Sequence, residues 1–118
     1  MVAPPIEACN QAPMSGQISI RTVAGKADRK AFVDFAWEAY KNDPNWVPPL
    51  KDEVHGLIDP KKNPWFGHGR AQLWLAERGG KVVGRVSAQV DDLVLQHMGQ
   101  GIGQWGMFEA LDGDTAAV

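Results

Sequence analysis

The chain has one cysteine and no long apolar run, and each scarcity closes a class of function. A single thiol, Cys9, excludes an internal disulfide, and no Cys/His cluster has the spacing of a zinc site. Cys9 has no basic neighbour to activate it, which makes it an ordinary free thiol. His55, His68 and His97 are far apart, with no carboxylate pattern around them, and read as surface or loop histidines. An excess of positive charge is missing too: 12 Lys and Arg stand against 14 Asp and Glu, a formal net charge of −2. With no basic field to hold a polyanion, a nucleic-acid partner is not expected. No segment approaches the ~20 apolar residues of a membrane helix, so no membrane partner is expected either. Met1 to Gly16 lacks the basic start and apolar stretch of a secretory signal, which makes the cytoplasm the expected compartment.

What is present suits one modest globular domain. Hydrophobic residues make up 44% of the 118, and five Trp and four Phe are large enough to anchor a core. Met1 to Gly16, with Pro4, Pro5, Pro13 and Gly16 among small and polar residues, reads as a flexible tail before a domain over 17–118. Ile18, Ile20 and Val23 mark a short strand over 17–23. Phe32, Phe35, Ala36, Ala39 and Tyr40 form one apolar stripe, which predicts a helix from Lys26 to Asn42. Asp28 in its first turn and Lys41 in its last complement the helix dipole, and Asp43-Pro44 ends it. A second helix is expected from about Pro49 to Ile58, with Leu50, Val54, Leu57 and Ile58 on one face. Lys61 to Gly69 is a loop whose Trp65-Phe66 packs back onto the core.

Gly79-Gly80 then supplies the positive φ angles of a two-residue hairpin turn between strands at 71–78 and 81–91. In the second strand Val82, Gly84, Val86, Ala88 and Val90 share the face expected to be buried, and Arg85, Ser87, Gln89 and Asp91 the mixed one. Val83 is the exception to the alternation. Glu77 and Asp91 are expected to be solvated, and Trp46, Trp65, Trp74 and Trp105 to be core. Asp92 to Gly103 is a connector, Gln104 to Ala110 a further strand, and Asp112-Gly113-Asp114-Thr115 resembles a helix start. These elements make an α/β (α+β) domain with an antiparallel sheet.

The order strand, helix, helix, loop, long hairpin resembles the beginning of the GNAT N-acetyltransferase fold. The wording of Asp43-Pro44-Asn45-Trp46-Val47-Pro48-Pro49-Leu50, Asp59-Pro60-Lys61-Lys62-Asn63-Pro64-Trp65-Phe66, Leu75-Ala76-Glu77-Arg78 and Val83-Gly84-Arg85 is similar to a bacterial family of GNAT-related proteins. Members of that family are far longer than this chain. The resemblance implies acyl transfer from an acyl-CoA such as acetyl-CoA to an amine. It also implies a pyrophosphate turn and a carboxylate that deprotonates the amine. Only the N-terminal half of such a fold is expected here, without its fifth strand, and hence no acetyltransferase activity from the chain alone.

Two candidates for that chemistry lie near the end of the chain. In one frame Gln96, Gly99 and Gly101 match the GNAT pyrophosphate turn; in another Gly101 and Gly103 do, with Met98 in place of the Arg or Gln. Either frame needs a helix over 104–111, in which Gly106 would cost ~1 kcal/mol relative to Ala. The favoured alternative is a plain loop over Gln96 to Gly103 followed by a strand, since glycine-rich stretches are more often turns than phosphate cradles. Glu109, at the end of that strand, stands where a GNAT base would stand, or is an exposed strand-end carboxylate. A reading from another class is a binding module: the edge of the last strand, Gln104 to Ala110, would pair with a second copy or a different chain.

Overall fold

The structure is a computed structural model and describes residues 17–111. The expectations for the Met1–Gly16 tail, Cys9 and the Asp112–Thr115 helix start lie outside those residues. The described elements are β1 (Ile18–Thr22), α1 (Gly25–Ala39), α2 (Lys51–Ile58), a 3-10 turn (Pro64–Gly67), β2 (Gly69–Arg78), β3 (Lys81–Asp91), α3 (Asp92–Met98) and β4 (Gln104–Ala110). The four strands form one antiparallel sheet in the order β1-β2-β3-β4, which is open rather than closed into a barrel. The domain is therefore α+β with helices collected on one face.

Local chemistry accounts for the boundaries. α1 begins where the Asp28 carboxylate accepts the Ala24 amide at 2.9 Å, satisfying a donor that the helix leaves free. It ends at Ala39 rather than Asn42, so Lys41 lies beyond its last turn and pairs back to Glu38 at 2.9 Å. Tyr40 and Trp37 pack on Trp46 there, stacked at 5.2 Å and edge-on at 5.4 Å, which fixes how the chain leaves the helix. α2 starts at Lys51, two residues later than the proline at 49 suggested. The loop after it contains a 3-10 turn whose first residue is Pro64, capped by Asn63 through the Trp65 amide at 3.0 Å.

The core is Phe32 and Val33 of α1, Ile58 of α2 and Leu75 of β2, and Phe32, Val33 and Leu75 are fully enclosed. Burying a side chain of this size contributes about 1.5–3 kcal/mol. Gly79 (φ 58°) and Gly80 (φ 81°) form the expected hairpin turn. Just past it the register shifts, from Ala76 opposite Gly84 to Glu77 opposite Val82. One extra residue in β3 is thereby accommodated, so Val83 turns into the core at 3% exposure. The break in alternation at Val83 in the sequence is this bulge.

The bulge also settles which face of the sheet meets the helices. Leu75, in the core, is paired with Arg85, so Arg85, Ser87, Gln89 and Asp91 point to the helix side. Trp74 is paired with Val86, which places the apolar set of Gly84, Val86, Ala88 and Val90 on the opposite face. The expectation for β3 was the reverse. Arg85 and Ser87 are buried at 8% and 1% exposure, while the apolar face carries a shallow trough of about 540 Å³ bordered by Ile20, Trp74, Val86, Trp105 and Phe108. Trp105, expected in the core, is 71% exposed on that face.

Between β3 and β4 the sequence reading missed a helix, α3. The Asp91 side chain accepts the Leu93 amide at 2.9 Å as its N-cap, and Gly99 (φ 115°) closes it with its amide on the Leu95 carbonyl at 3.2 Å. After Gly101 (φ 82°) the chain enters β4, which carries its own bulge: Arg85 faces Glu109, but Ser87 faces Gly106. The extra residue lies in β4, where Met107 takes a left-handed conformation (φ 48°) and packs against the core cluster.

Candidate functional site

The helix side of the sheet holds an open cleft of about 550 Å³ between α1, α2 and the strands. Its floor is the polar stripe that the β3 bulge turned inward: Ser87, Gln89 and Asp91, extended by Gln104 and Met107 of β4. Ser87 is held down by donating to the Gly106 carbonyl at 3.0 Å. Leu57, Ile58 and Phe66 give it apolar lining, and Arg29 of α1 lines it as well.

Asp91 is the best-connected group at this site. Its Oδ2 accepts the Trp65 indole N–H at 3.0 Å; its Oδ1 accepts the Leu93 amide and lies 3.0 Å from His68 Nδ1. Burial pushes this carboxyl up, but the hydrogen bonds from Trp65, Leu93 and His68 outweigh burial and hold it below its ordinary value. The backbone reinforces the arrangement, since the Asp92 amide donates to the His68 carbonyl at 2.8 Å. Asp91 is thus not the solvated strand-end residue expected from its position. His68 is not an isolated loop histidine either. With Nδ1–H donating to the carboxylate, Nε2 carries the free lone pair, and that half-exposed imidazole is oriented to take a proton.

Glu109 lies elsewhere. Its Oε2 accepts the Tyr40 hydroxyl, and across the strand pair it faces Arg85. That hydrogen bond, followed by burial, pushes the Tyr40 phenol up. Arg85 Nη1 donates to the Phe32 carbonyl at 2.7 Å, its guanidinium sits 4.9 Å over the Phe32 ring, and among the described residues its Nε has no hydrogen-bond partner. Burial lowers the Arg85 pKa, with Glu109 and Tyr40 opposing it. Glu109 is therefore half-buried and tied to α1, neither an exposed strand-end residue nor part of the cleft lining.

The glycine-rich segment does not adopt the context a pyrophosphate turn requires. Gln96 is in α3, the Gly99 amide is already used as that helix's cap, and Gly101 and Gly103 lead into a strand. A phosphate cradle of this kind depends on free amides at a helix N-terminus, and the helix over 104–111 that would supply them is β4. These residues do not fit a coenzyme A pyrophosphate. Among the described residues no three His, Cys, Asp or Glu side chains converge as a metal-binding group, and no helix is long and apolar enough to cross a membrane.

Sequence reasoning missed His68, Asp91 and Trp65 as a unit. One signal was present: an Asp before Asp92-Leu93-Val94-Leu95 is a helix-cap signature. The pairing with His68, across 23 residues, had none.

No family model matches this chain, and no solved structure does. Two curated proteins are similar to it. Protein YghO of Escherichia coli (strain K12) is 40% identical over 99 residues, covering 84% of this chain and 25% of that protein. Bacterial ceramide synthase of Caulobacter vibrioides (strain NA1000 / CB15N) is 40% identical over 99 residues, covering 83% of this chain and 26% of that protein. The chain spans about a quarter of the length of the curated relatives it matches.

Proposed function

We propose that this chain is part of a GNAT-related acyltransferase that joins an acyl group to an amine. The observation that carries this reading is the 40% identity over 99 residues to a protein named bacterial ceramide synthase. A ceramide is a long-chain amino alcohol acylated on nitrogen, so such a synthase makes an amide bond. The order strand, helix, helix, hairpin, strand supports the GNAT relation. Amide formation needs an uncharged amine and a group to take the proton that the nitrogen loses on attack. In this reading the amine nitrogen bonds to the acyl carbon as the carbon–sulfur bond of the thioester breaks, His68 Nε2 takes the proton from nitrogen and passes it to the departing thiolate, and Asp91 orients the ring and stabilises the imidazolium. The acyl donor, an acyl-CoA on the family resemblance, is held by residues other than the Gln96–Gly103 turn.

The test is a chimera in which this chain's residues replace the matched 99-residue segment of the ceramide synthase. The chimera is expected to acylate a long-chain amine, and the His68→Asn version to lose most of its rate at neutral pH while regaining part at higher pH. This chain alone is expected to form no amide. A folded chimera with no amide product, followed by mass spectrometry, defeats the reading.

A second reading is favoured by one specific observation. β4 is an edge strand of the sheet and also presents Trp105 and Phe108 to solvent. A module that pairs this edge with another chain would cover both features. Sedimentation at high concentration separates the two readings, because pairing between copies requires a dimer.

A further inference from the structure

The cleft on the helix side is lined by a charged group that the acyl-transfer reading does not use. Asp91 is its lining carboxylate, and both Asp91 oxygens are occupied by donors from Trp65, Leu93 and His68. Arg29 is its lining cation, and among the described residues no carboxylate or carbonyl pairs with its guanidinium. This contrasts with Arg21, which is clamped between Asp28 and Glu77, and with Lys30, held by Asp34 at 2.5 Å. Arg29 is therefore the charged group of the cleft whose hydrogen-bonding capacity is left open among the described residues. The same cleft is lined by the apolar side chains of Leu57, Phe66 and Met107, with Leu57 62% exposed although it belongs to the same helix as the core residue Ile58. A guanidinium that presents a planar set of donors suits a carboxylate or a phosphate. An adjoining apolar wall suits an alkyl chain, and about 550 Å³ is within the usual range for a small-molecule site.

We infer that this cleft binds a single-chain amphiphile with an anionic headgroup, the headgroup on Arg29 and the chain along Leu57, Phe66 and Met107. The inference concerns binding by this chain alone and stands whether or not the chain takes part in acyl transfer. Neither half of the ligand suffices: a half-exposed arginine holds a small anion weakly in water, and the apolar lining by itself does not discriminate among alkyl compounds.

The experiment is a titration of the 118-residue chain, followed by calorimetry and by the Trp65 indole and Met107 methyl resonances. The probes are octyl phosphate, octanoate, octylammonium and inorganic phosphate, each below its micelle concentration. Octyl phosphate or octanoate is expected to saturate and shift both resonances, and the tighter of the two identifies the headgroup. Inorganic phosphate and octylammonium are expected to bind at least about tenfold more weakly, a difference near 1.4 kcal/mol. Arg29→Gln should weaken the anionic probes by about tenfold and Arg29→Lys by less, since the charge remains. Leu57→Ser should weaken both octyl anions without changing inorganic phosphate. Should Arg29→Gln fail to fold, the salt dependence of the unaltered chain replaces it: binding must weaken as sodium chloride rises. Octylammonium binding as tightly as octanoate, inorganic phosphate matching octyl phosphate, or an affinity indifferent to both Arg29→Gln and salt overturns the proposal.

Discussion

Gly69 opens β2 directly beneath the Trp65 indole, and a Cβ built there would lie 2.3 Å from the ring. That approach is what lets Trp65 turn its N–H onto Asp91 at 3.0 Å, so the glycine and the His68–Asp91 pair belong to one arrangement. Gly69→Ala is expected to push the indole outward and lower stability by about 1–3 kcal/mol, the usual cost of overpacking. Chemical denaturation gives the stability. The Nε1 proton of Trp65, which should lose its hydrogen-bonded shift, gives the local effect. A neutral Gly69→Ala would mean that the indole is not fixed in this way. Backbone freedom is not the issue here, since this glycine has no positive φ. The constraint is space.

At the scale of the element, the β2–β3 hairpin shows how turn chemistry and register act together. Both turn glycines have positive φ, 58° at Gly79 and 81° at Gly80. Asparagine tolerates the first of these positions and a β-branched residue tolerates neither. Gly79→Asn should therefore change stability by no more than about 0.5 kcal/mol, and Gly80→Val should cost about 1–2 kcal/mol. Urea midpoints at constant slope would check both; equal losses would contradict the assigned turn. The glycine pair was legible in the sequence because only this residue pattern makes such a turn cheaply. The bulge three residues later was visible only as Val83 standing out of alternation. Its consequence, that the polar stripe faces the helices, was not legible. A one-residue insertion in a ladder exchanges the two faces for every residue after it, and nothing local announces where it falls.

On the scale of the whole molecule, the helices cover one face of the sheet and leave apolar side chains on the other. Ile20, Trp105 and Phe108 are 51%, 71% and 40% exposed around the second trough. Exposed side chains contribute little to folding but provide a surface for apolar dyes and for self-association. Trp105→Glu with Phe108→Glu is expected to leave the denaturation midpoint within about 0.5 kcal/mol of the parent. The pair should also sharply reduce fluorescence of an apolar dye and shift any concentration-dependent sedimentation towards the monomer. A large loss of stability would show instead that these side chains support the fold.

Composition, helical periodicity and turn chemistry determined the class of the domain: two helices, a glycine-turned hairpin and a further strand in an α+β order. Those features depend on residues within one or two turns of each other, so neighbours in the chain suffice to specify them. The choice between a helix and a strand after the glycine-rich segment was decided in the tertiary structure, where residues 104–110 pair with β3. The same holds for His68 on Asp91, Tyr40 on Glu109, and Arg29 and Leu57 in one cleft. Each depends on where the bulged strands bring distant segments together, and a linear pattern carries no record of that distance. The α+β order was thus readable from the chain. The cleft and its polar floor came from the register of the sheet.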